Sequence, residues 1–132
     1  MPRVLGIFLA SLLAACGTVP TAQQQQAADY GQPIAQEAAE RLATAYLSAR
    51  LKDPGSAQYR WEPVAKGFMA ASPLARRKLT YGYFLTGTVN SKNSFGGYTG
   101  ASRYSFVFRD GVLVGADREE CLSPGNCHMA PF

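Results

Sequence analysis

Histidine is nearly absent from this chain of 132 residues, in which His128 is the only one. Any Ser-His-Asp or Cys-His arrangement would therefore have to be built on that residue. The carboxylates are scattered over turns and exposed positions, and Glu119 and Glu120 are neighbours in a strand-like segment, so their side chains point apart. Because no acid–base pair is placed for catalysis, we expect a protein that is not an enzyme and needs no cofactor.

Charge and long apolar runs are also scarce. The 13 Lys and Arg residues against 9 Asp and Glu give a net charge of +4 at pH 7, without the dense basic clustering of nucleic-acid binders. We therefore expect no nucleic-acid partner. The apolar run at residues 4–13 is too short for a membrane-spanning helix, which needs about 20 apolar residues.

The N-terminus has the pattern of an export signal, with Arg3 before the apolar run and small residues after it. Leu13-Ala14-Ala15-Cys16 resembles a bacterial lipobox, at which a cysteine is acylated and the chain is cut in front of it. The resemblance implies a signal peptide over residues 1–15 and a mature chain held at a membrane through the lipidated Cys16. The alternative is an ordinary cleaved signal in which Cys16 is incidental.

The residue after Cys16 bears on the membrane to which the protein is sorted. Gly17 stands there instead of Asp. By resemblance to the sorting rule of enteric bacteria, this implies the outer membrane, with the domain facing the periplasm, rather than retention at the inner membrane.

The segment after the anchor has little with which to fold. Residues 16–32 include four consecutive Gln, several small residues and a single aromatic side chain. Such a composition buries too little apolar surface to offset the cost of ordering the chain. We therefore predict a flexible tether over residues 16–32, with an interaction tract as the alternative for the Gln run. Residues 33–132 then form one small domain.

Cysteine usage fits an oxidising compartment. Lipidation of Cys16 leaves Cys121 and Cys127, which are most simply joined in a disulfide. Pro124-Gly125 between them favours a turn that would bring the two sulfurs together. A metal site formed with His128 is the alternative, but it lacks a fourth ligand and the usual spacings of zinc sites, so we expect no metal.

Hydrophobic periodicity predicts an α+β fold, with one N-terminal helix packed on an antiparallel sheet of about four strands. The helix is predicted over residues 33–51, and the strands at 57–61, 79–89, 102–109 and 112–116. The predicted core stripe of the helix is Ile34, Ala38, Leu42, Ala45, Tyr46 and Ala49.

The clearest local signal is Asp110-Gly111 between two alternating segments, which is typical of a type I′ hairpin. A two-residue loop pairs residue 109 with 112 and residue 108 with 113. Tyr104, Phe106, Phe108 and Leu113 then share one face, which we predict to be the core side.

Two motifs carry a resemblance to a family. Residues 51–60 read LKDPGSAQYR and residues 89–100 read VNSKNSFGGYTG. Together they resemble the signature of a family of small exported bacterial proteins, in which K-D-P-x-S-A-x-[FY]-R precedes V-N-x-K-N-S-x-G-G-Y-x-G. The resemblance covers roughly residues 45–114. It implies export, often with a lipobox, and it supplies no mechanism.

The second motif is the candidate binding loop. Its glycines permit positive φ, and its Asn and Ser side chains can hydrogen-bond nearby backbone amides. One interpretation is a structural loop that pins its own backbone. The other is a recognition loop, in which backbone amides near the glycines and the Lys92 ammonium receive an anionic or carbonyl group while aromatic rings offer stacking faces. The candidate residues are Asn90, Lys92, Asn93, Phe95, Gly96, Gly97 and Tyr98.

The basic stretch Arg76-Arg77-Lys78 leaves a similar choice. It is either a solvated surface loop or a contact for lipid phosphates or an acidic partner.

The sequence therefore predicts a non-catalytic envelope lipoprotein that binds or scaffolds, with an envelope protein as a candidate partner. The alternative is a periplasmic inhibitor or ligand-binding protein. Residues 100–104 resemble the Ser-Gly-x-x-Tyr element of lysozyme inhibitors, although the Gly is displaced and no second, Lys-containing element is present.

Overall fold

A computed structural model describes residues 19–70, 79–123 and 125–132. In this part of the chain two helices are followed by six strands. The elements are α1 (Ala22–Ala27), α2 (Gln36–Ser48), β1 (Asp53–Trp61), β2 (Ala65–Ala70), β3 (Leu79–Lys92), β4 (Ser102–Arg109), β5 (Val112–Ser123) and β6 (Asn126–Pro131).

The strands form one antiparallel sheet in the order β1-β3-β4-β5-β6, and β2 also pairs with β3. β3 is long enough to pair with two strands along the same edge. β1 lies beside its C-terminal half, from Trp61↔Gly87 to Asp53↔Lys92, and β2 beside its N-terminal half. β1 and β2 therefore lie end to end on that edge, opposite β4.

The mixed architecture with an antiparallel sheet is as predicted, but the four-strand count is wrong. The two additional strands are β2 and, in the tail, β6. β6 is mostly exposed and has no alternating apolar pattern. Its place in the sheet comes from pairing with β5, where Cys121 and Cys127 are cross-strand partners.

The β4–β5 hairpin is confirmed in detail. Asp110 has φ 53° and Gly111 φ 76°, the positive values that a type I′ turn requires. Arg109 pairs with Val112 and Phe108 with Leu113, as expected. A bulge follows, because Val107 pairs with Gly115 and leaves Val114 without a partner on β4.

The aromatic face of this hairpin is the centre of the core, as predicted. Tyr104, Phe106 and Phe108 are buried, and Leu113 packs against them. The ring of Phe106 meets those of Tyr46 and Trp61 edge-on, each with a centroid separation of 5.9 Å. Edge-to-face pairs of this kind stabilise beyond the area that they bury.

Helix α2 covers this face, but with a different stripe from the one predicted. Its fully buried residues are Ala39, Ala43 and Leu47, whereas Leu42 is partly exposed. The i, i+4, i+8 spacing is right, and Ile34 and Tyr46 of the predicted stripe pack against the core, but the fully buried positions lie one residue further along the helix than predicted. Small alanines let the helix backbone approach the bulky aromatic rings of the sheet, and Leu42 is left at the margin.

The helix is also shorter than predicted. It begins at Gln36 and ends at Ser48 instead of spanning residues 33–51. Gln36 joins its first turn to the chain that follows β1, since its amide accepts from the Val64 N–H at 2.7 Å and donates to the Glu62 carbonyl at 3.1 Å.

The described part of the predicted tether differs from an unstructured spacer. Thr21 and Gln24 form a capping box that starts α1, with side-chain-to-backbone distances of 3.2 and 2.8 Å. The ring of Tyr30 then packs edge-on against Tyr81, 5.6 Å between centroids, and the carboxylate of Asp29 pairs with Arg109. Composition alone could not indicate these contacts, because their partners are distant in sequence.

Several predictions fall outside the described residues. These are the signal peptide, Cys16 and Gly17, the basic stretch at 76–78, and Pro124. Among the residues that the structure describes, no helix has the length and apolarity needed to cross a membrane.

Candidate functional site

The candidate loop follows β3 and closes on itself. The Asn93 N–H donates to the Gly97 carbonyl at 2.8 Å, and the Gly96 N–H donates to the Asn93 carbonyl at 3.0 Å. Gly96 has φ 80°, a conformation that side chains other than glycine disfavour. A Cβ at this position would have open space around it, so crowding does not explain the glycine. The glycine is required by the backbone conformation of the turn.

The side chain of Asn93 accepts hydrogen bonds from two backbone amides of this turn. Its Oδ1 accepts from the Phe95 N–H at 2.9 Å and from the Gly97 N–H at 3.1 Å. With the Gly96 N–H bonded to the Asn93 carbonyl, the amides expected to receive a ligand are already engaged. The loop thus pins its own backbone, and recognition by this loop would fall to its side chains.

The loop is also attached to β1, and this attachment brings the two sequence motifs together. The Lys92 N–H donates to Ser56 Oγ at 3.0 Å. The Tyr98 hydroxyl donates to the Ser56 carbonyl at 3.3 Å and accepts from Gln58 Nε2 at 3.4 Å. Ser56 and Gln58 belong to the first motif and Lys92 and Tyr98 to the second, so the motifs form one structural unit.

Three side chains in the loop and at its junction with β3 remain available to a partner. Phe95 is 96 % exposed, more than any other large apolar side chain in the described ranges, and Tyr98 is 47 % exposed. The Lys92 ammonium lies 5.4 Å from the centroid of the Tyr98 ring, within reach of a cation–π interaction. Lys92, Phe95 and Tyr98 therefore present two aromatic faces and a cation on a backbone that is fixed from within.

Asn90 belongs to β3 rather than to the loop. It is the cross-strand partner of Gln58, and its side-chain Oδ1 is buried without a hydrogen-bond donor among the described residues. Asn90 therefore takes no part in bonding the loop amides, contrary to what the motif indicated. The sequence does not show this, because the end of β3 had to be known first.

The other flank of the loop borders a cleft that sequence reasoning missed. Arg50 and Lys52 follow helix α2, Lys92 ends β3 and Arg118 lies in β5, and all four line a cavity of about 290 Å³. No sequence signal could have found this cluster, since its members are up to 68 positions apart in the chain (50 to 118).

Two carboxylates have pKa values shifted in opposite directions. The pKa of Asp29 lies below its ordinary value because the carboxylate accepts from the Gly31 N–H and lies beside the Arg109 guanidinium. Burial raises the pKa of Asp117. The Asp117 side chain lines a second cleft of about 290 Å³ together with Phe68, Phe84 and Met129.

The disulfide is present between Cys121 and Cys127, whose Cα atoms are 4.0 Å apart. Both sulfurs are therefore engaged, which removes them as ligands of the alternative metal site with His128. No group of three or more His, Cys, Asp or Glu side chains suited to a metal occurs in residues 19–70, 79–123 and 125–132.

No protein-family model, no curated protein and no solved structure matches this chain. Its function is therefore inferred from the geometry of the loop, of the cleft and of the disulfide.

Proposed function

We propose that this protein is a non-catalytic lipoprotein of the bacterial cell envelope, anchored at the outer membrane through Cys16 and facing the periplasm. Its domain binds a protein partner of the envelope through Lys92, Phe95 and Tyr98. The disulfide supports an oxidising compartment, because such bonds rarely persist in the cytosol. The lipobox resemblance supports the anchor.

The exposure of Phe95 on a self-bonded loop carries this proposal. A large aromatic side chain that is 96 % exposed contributes no free energy of burial to the stability of the free protein. Aromatic side chains are enriched at protein interfaces, where burial by a partner recovers that free energy. Because Asn93 already fixes the backbone, a partner would not have to order the loop on binding.

Partner capture tests the loop. Phe95→Ala in the full-length lipidated protein should abolish co-purification of an envelope partner after cross-linking in cells and leave the melting temperature unchanged. Leu122→Ala is the matched control, because Leu122 is 78 % exposed at another place in the sheet. Equal capture by both variants and the wild type would overturn the proposal for the loop.

Phe95 is a cleaner test than Tyr98. The Tyr98 hydroxyl bonds to Ser56 and Gln58, so its removal also loosens the attachment of the loop to β1. The Lys92→Ala/Tyr98→Ala double variant should therefore lose capture as well, with a small fall in melting temperature.

Metabolic labelling with an alkyne-bearing fatty acid tests the anchor separately. Cys16→Ser should abolish the label and release the protein from outer-membrane fractions. Cys121→Ser/Cys127→Ser should keep the label, since those cysteines form the disulfide. A label that survives Cys16→Ser would contradict lipidation at that residue.

The alternative of a lysozyme inhibitor gains no support from the site. Tyr104, which carries that resemblance, is 4 % exposed and packs against Phe132 with 5.1 Å between ring centroids. A side chain in that position has no face to offer to an enzyme.

A further inference from the structure

The basic cleft beside the loop has the composition of an anion site. Its cations come from three parts of the fold: Arg50 and Lys52 after α2, Lys92 at the end of β3, and Arg118 in β5. No Asp or Glu is among the described residues that line it. Four like charges around one cavity of about 290 Å³ repel one another, and an anion between them would relieve that repulsion.

Two of the four cations are held in place by aromatic rings. The guanidinium carbon of Arg50 lies 3.6 Å from the centroid of the Tyr46 ring, and that of Arg118 lies 5.3 Å from the centroid of the Phe132 ring. Such contacts limit the rotamers of the long side chains, so less entropy is lost when they bind a ligand.

Few counter-charges reduce the positive potential of the cleft. Among the described residues only Arg118 of these four cations forms an ion pair, with Glu120 at 3.0 Å, so the other three have no carboxylate partner there. The C-terminal end of α2 also contributes a partial negative charge of about one half. The main-chain oxygen of Phe132 accepts a hydrogen bond from the Tyr46 hydroxyl. The balance remains positive.

We propose that this cleft binds a phosphate group. Two arginines offer planar forks of N–H donors that match phosphate oxygens, and the two lysines add charge. Inorganic phosphate or a phosphate monoester carries up to two negative charges near neutral pH, which suits this excess of cations better than a carboxylate does, and a diester carries one. The group could be that of a lipid headgroup or of a soluble phosphate, and titration with one compound of each kind separates these sources.

The phosphate site is distinct from the proposed surface for a protein partner. Only Lys92 is common to both, and neither Phe95 nor Tyr98 lines the cleft. Substitutions at Lys52 therefore test the phosphate site without touching the aromatic groups of the loop.

The test is a titration of the ¹⁵N-labelled full chain in nonionic detergent at constant ionic strength, followed by the amide resonances of Ser91, Lys92 and Arg118. Inorganic phosphate should shift them saturably in the millimolar range, and sodium acetate should not. Glycerophosphoglycerol, the soluble headgroup of phosphatidylglycerol, is the second arm. Saturation by the diester alone identifies a lipid headgroup as the source, and saturation by inorganic phosphate identifies a site open to soluble phosphates.

Charge reversal provides the matched control. Lys52→Glu should weaken the affinity for the saturating ligand about tenfold, as expected when an attractive exposed charge becomes a repulsive one. Arg60→Glu changes the net charge equally, and Arg60 is exposed on β1 opposite Thr88, four residues along β3 from Lys92, or about 13 Å at 3.3 Å per residue, which is beyond the Debye length of about 8–10 Å. It should weaken the affinity less than twofold.

Three results would overturn the phosphate site: no saturable shift with either phosphate compound, an equal shift with acetate, or equal weakening by the two charge reversals. Phe95→Ala should leave the titration unchanged. A protein that binds phosphate but captures no partner would contradict the proposed function alone, and the reverse result would contradict the phosphate site alone.

Discussion

The aromatic face under helix α2 and the loop at residues 93–100 are ordered by opposite kinds of interaction. Phe106 is fully buried, and its neighbours Tyr46 and Trp61 come from other elements of the fold. The loop instead bonds to itself through Asn93, and it leaves Phe95 in solvent. One region therefore stabilises the fold, and the other is ordered without being buried, which leaves it free for recognition.

Substitution of Phe106 should have the largest effect on stability. Phe106→Ala leaves a cavity in the core and should lower the free energy of unfolding by about 3–5 kcal/mol in chemical denaturation. Phe95→Ala removes the same atoms from an exposed position and should change it by less than about 0.5 kcal/mol.

Should Phe106→Ala fail to fold, Phe106→Leu still tests the same point. It keeps much of the buried volume and should cost about 1 kcal/mol. Equal effects at positions 95 and 106 would remove the distinction between the two regions.

The disulfide should rank second. Cys121→Ala/Cys127→Ala opens a short ring and should cost about 2 kcal/mol on the loop-entropy model. Because β6 is mostly exposed and pairs only with β5, its amides should lose protection in hydrogen exchange while those of β4 keep theirs. Unchanged exchange in β6 would mean that strand pairing alone holds the tail.

Asn93 tests whether the loop is ordered from within. Asn93→Ala removes both bonds to Oδ1 and should cost about 1 kcal/mol, with increased mobility of the amides of Phe95 and Gly97. Asn93→Asp keeps an acceptor at the same place and should behave like the wild type. Relaxation of the backbone amides in NMR separates the two variants, and identical mobility in both would contradict this role for the side chain.

The smallest expected effects are changes in stability at acidic pH, which come from Asp29 and Asp117. The pKa of Asp29 is lowered in the folded state, so its stabilising contribution is present above the unfolded value near 3.8 and is lost as the pH falls through the folded value. The pKa of Asp117 is raised by burial, so stability declines as the pH rises from that unfolded value through its folded pKa. NMR titration should place the two pKa values on opposite sides of 3.8, and Asp117→Asn should leave the pKa of Asp29 unchanged. Two pKa values on the same side would contradict these environments.

The sequence was most informative where the determinants are local. Asp110-Gly111 and the alternation of Tyr104, Phe106 and Phe108 predicted the hairpin register and its core face. The sequence did not predict which face of helix α2 is buried. Alanines such as Ala39 and Ala43 are apolar enough to be buried, but they are too small to dominate a periodic pattern. Whether they or Leu42 face the sheet depends on how closely the helix can approach the aromatic rings.

The candidate site divides in the same way. The motif at 89–100 located the loop and its glycines, because turn chemistry is written in neighbouring residues. The structure was needed to show that the Asn93 side chain bonds the loop amides. It was also needed to show that Asn90 lies in β3. The cleft formed by Arg50, Lys52 and Arg118 had no local signal, since it exists only after the end of α2 is brought to β5.

Photocrosslinking at the tip of the loop tests most directly whether the loop recognises a partner. A benzoyl-phenylalanine in place of Phe95 of the full-length protein should give one discrete adduct with an envelope protein on irradiation of cells. The same probe in place of Val112, which is 61 % exposed in β5, should give none. No adduct at position 95, or the same adducts at both positions, would contradict recognition by this loop.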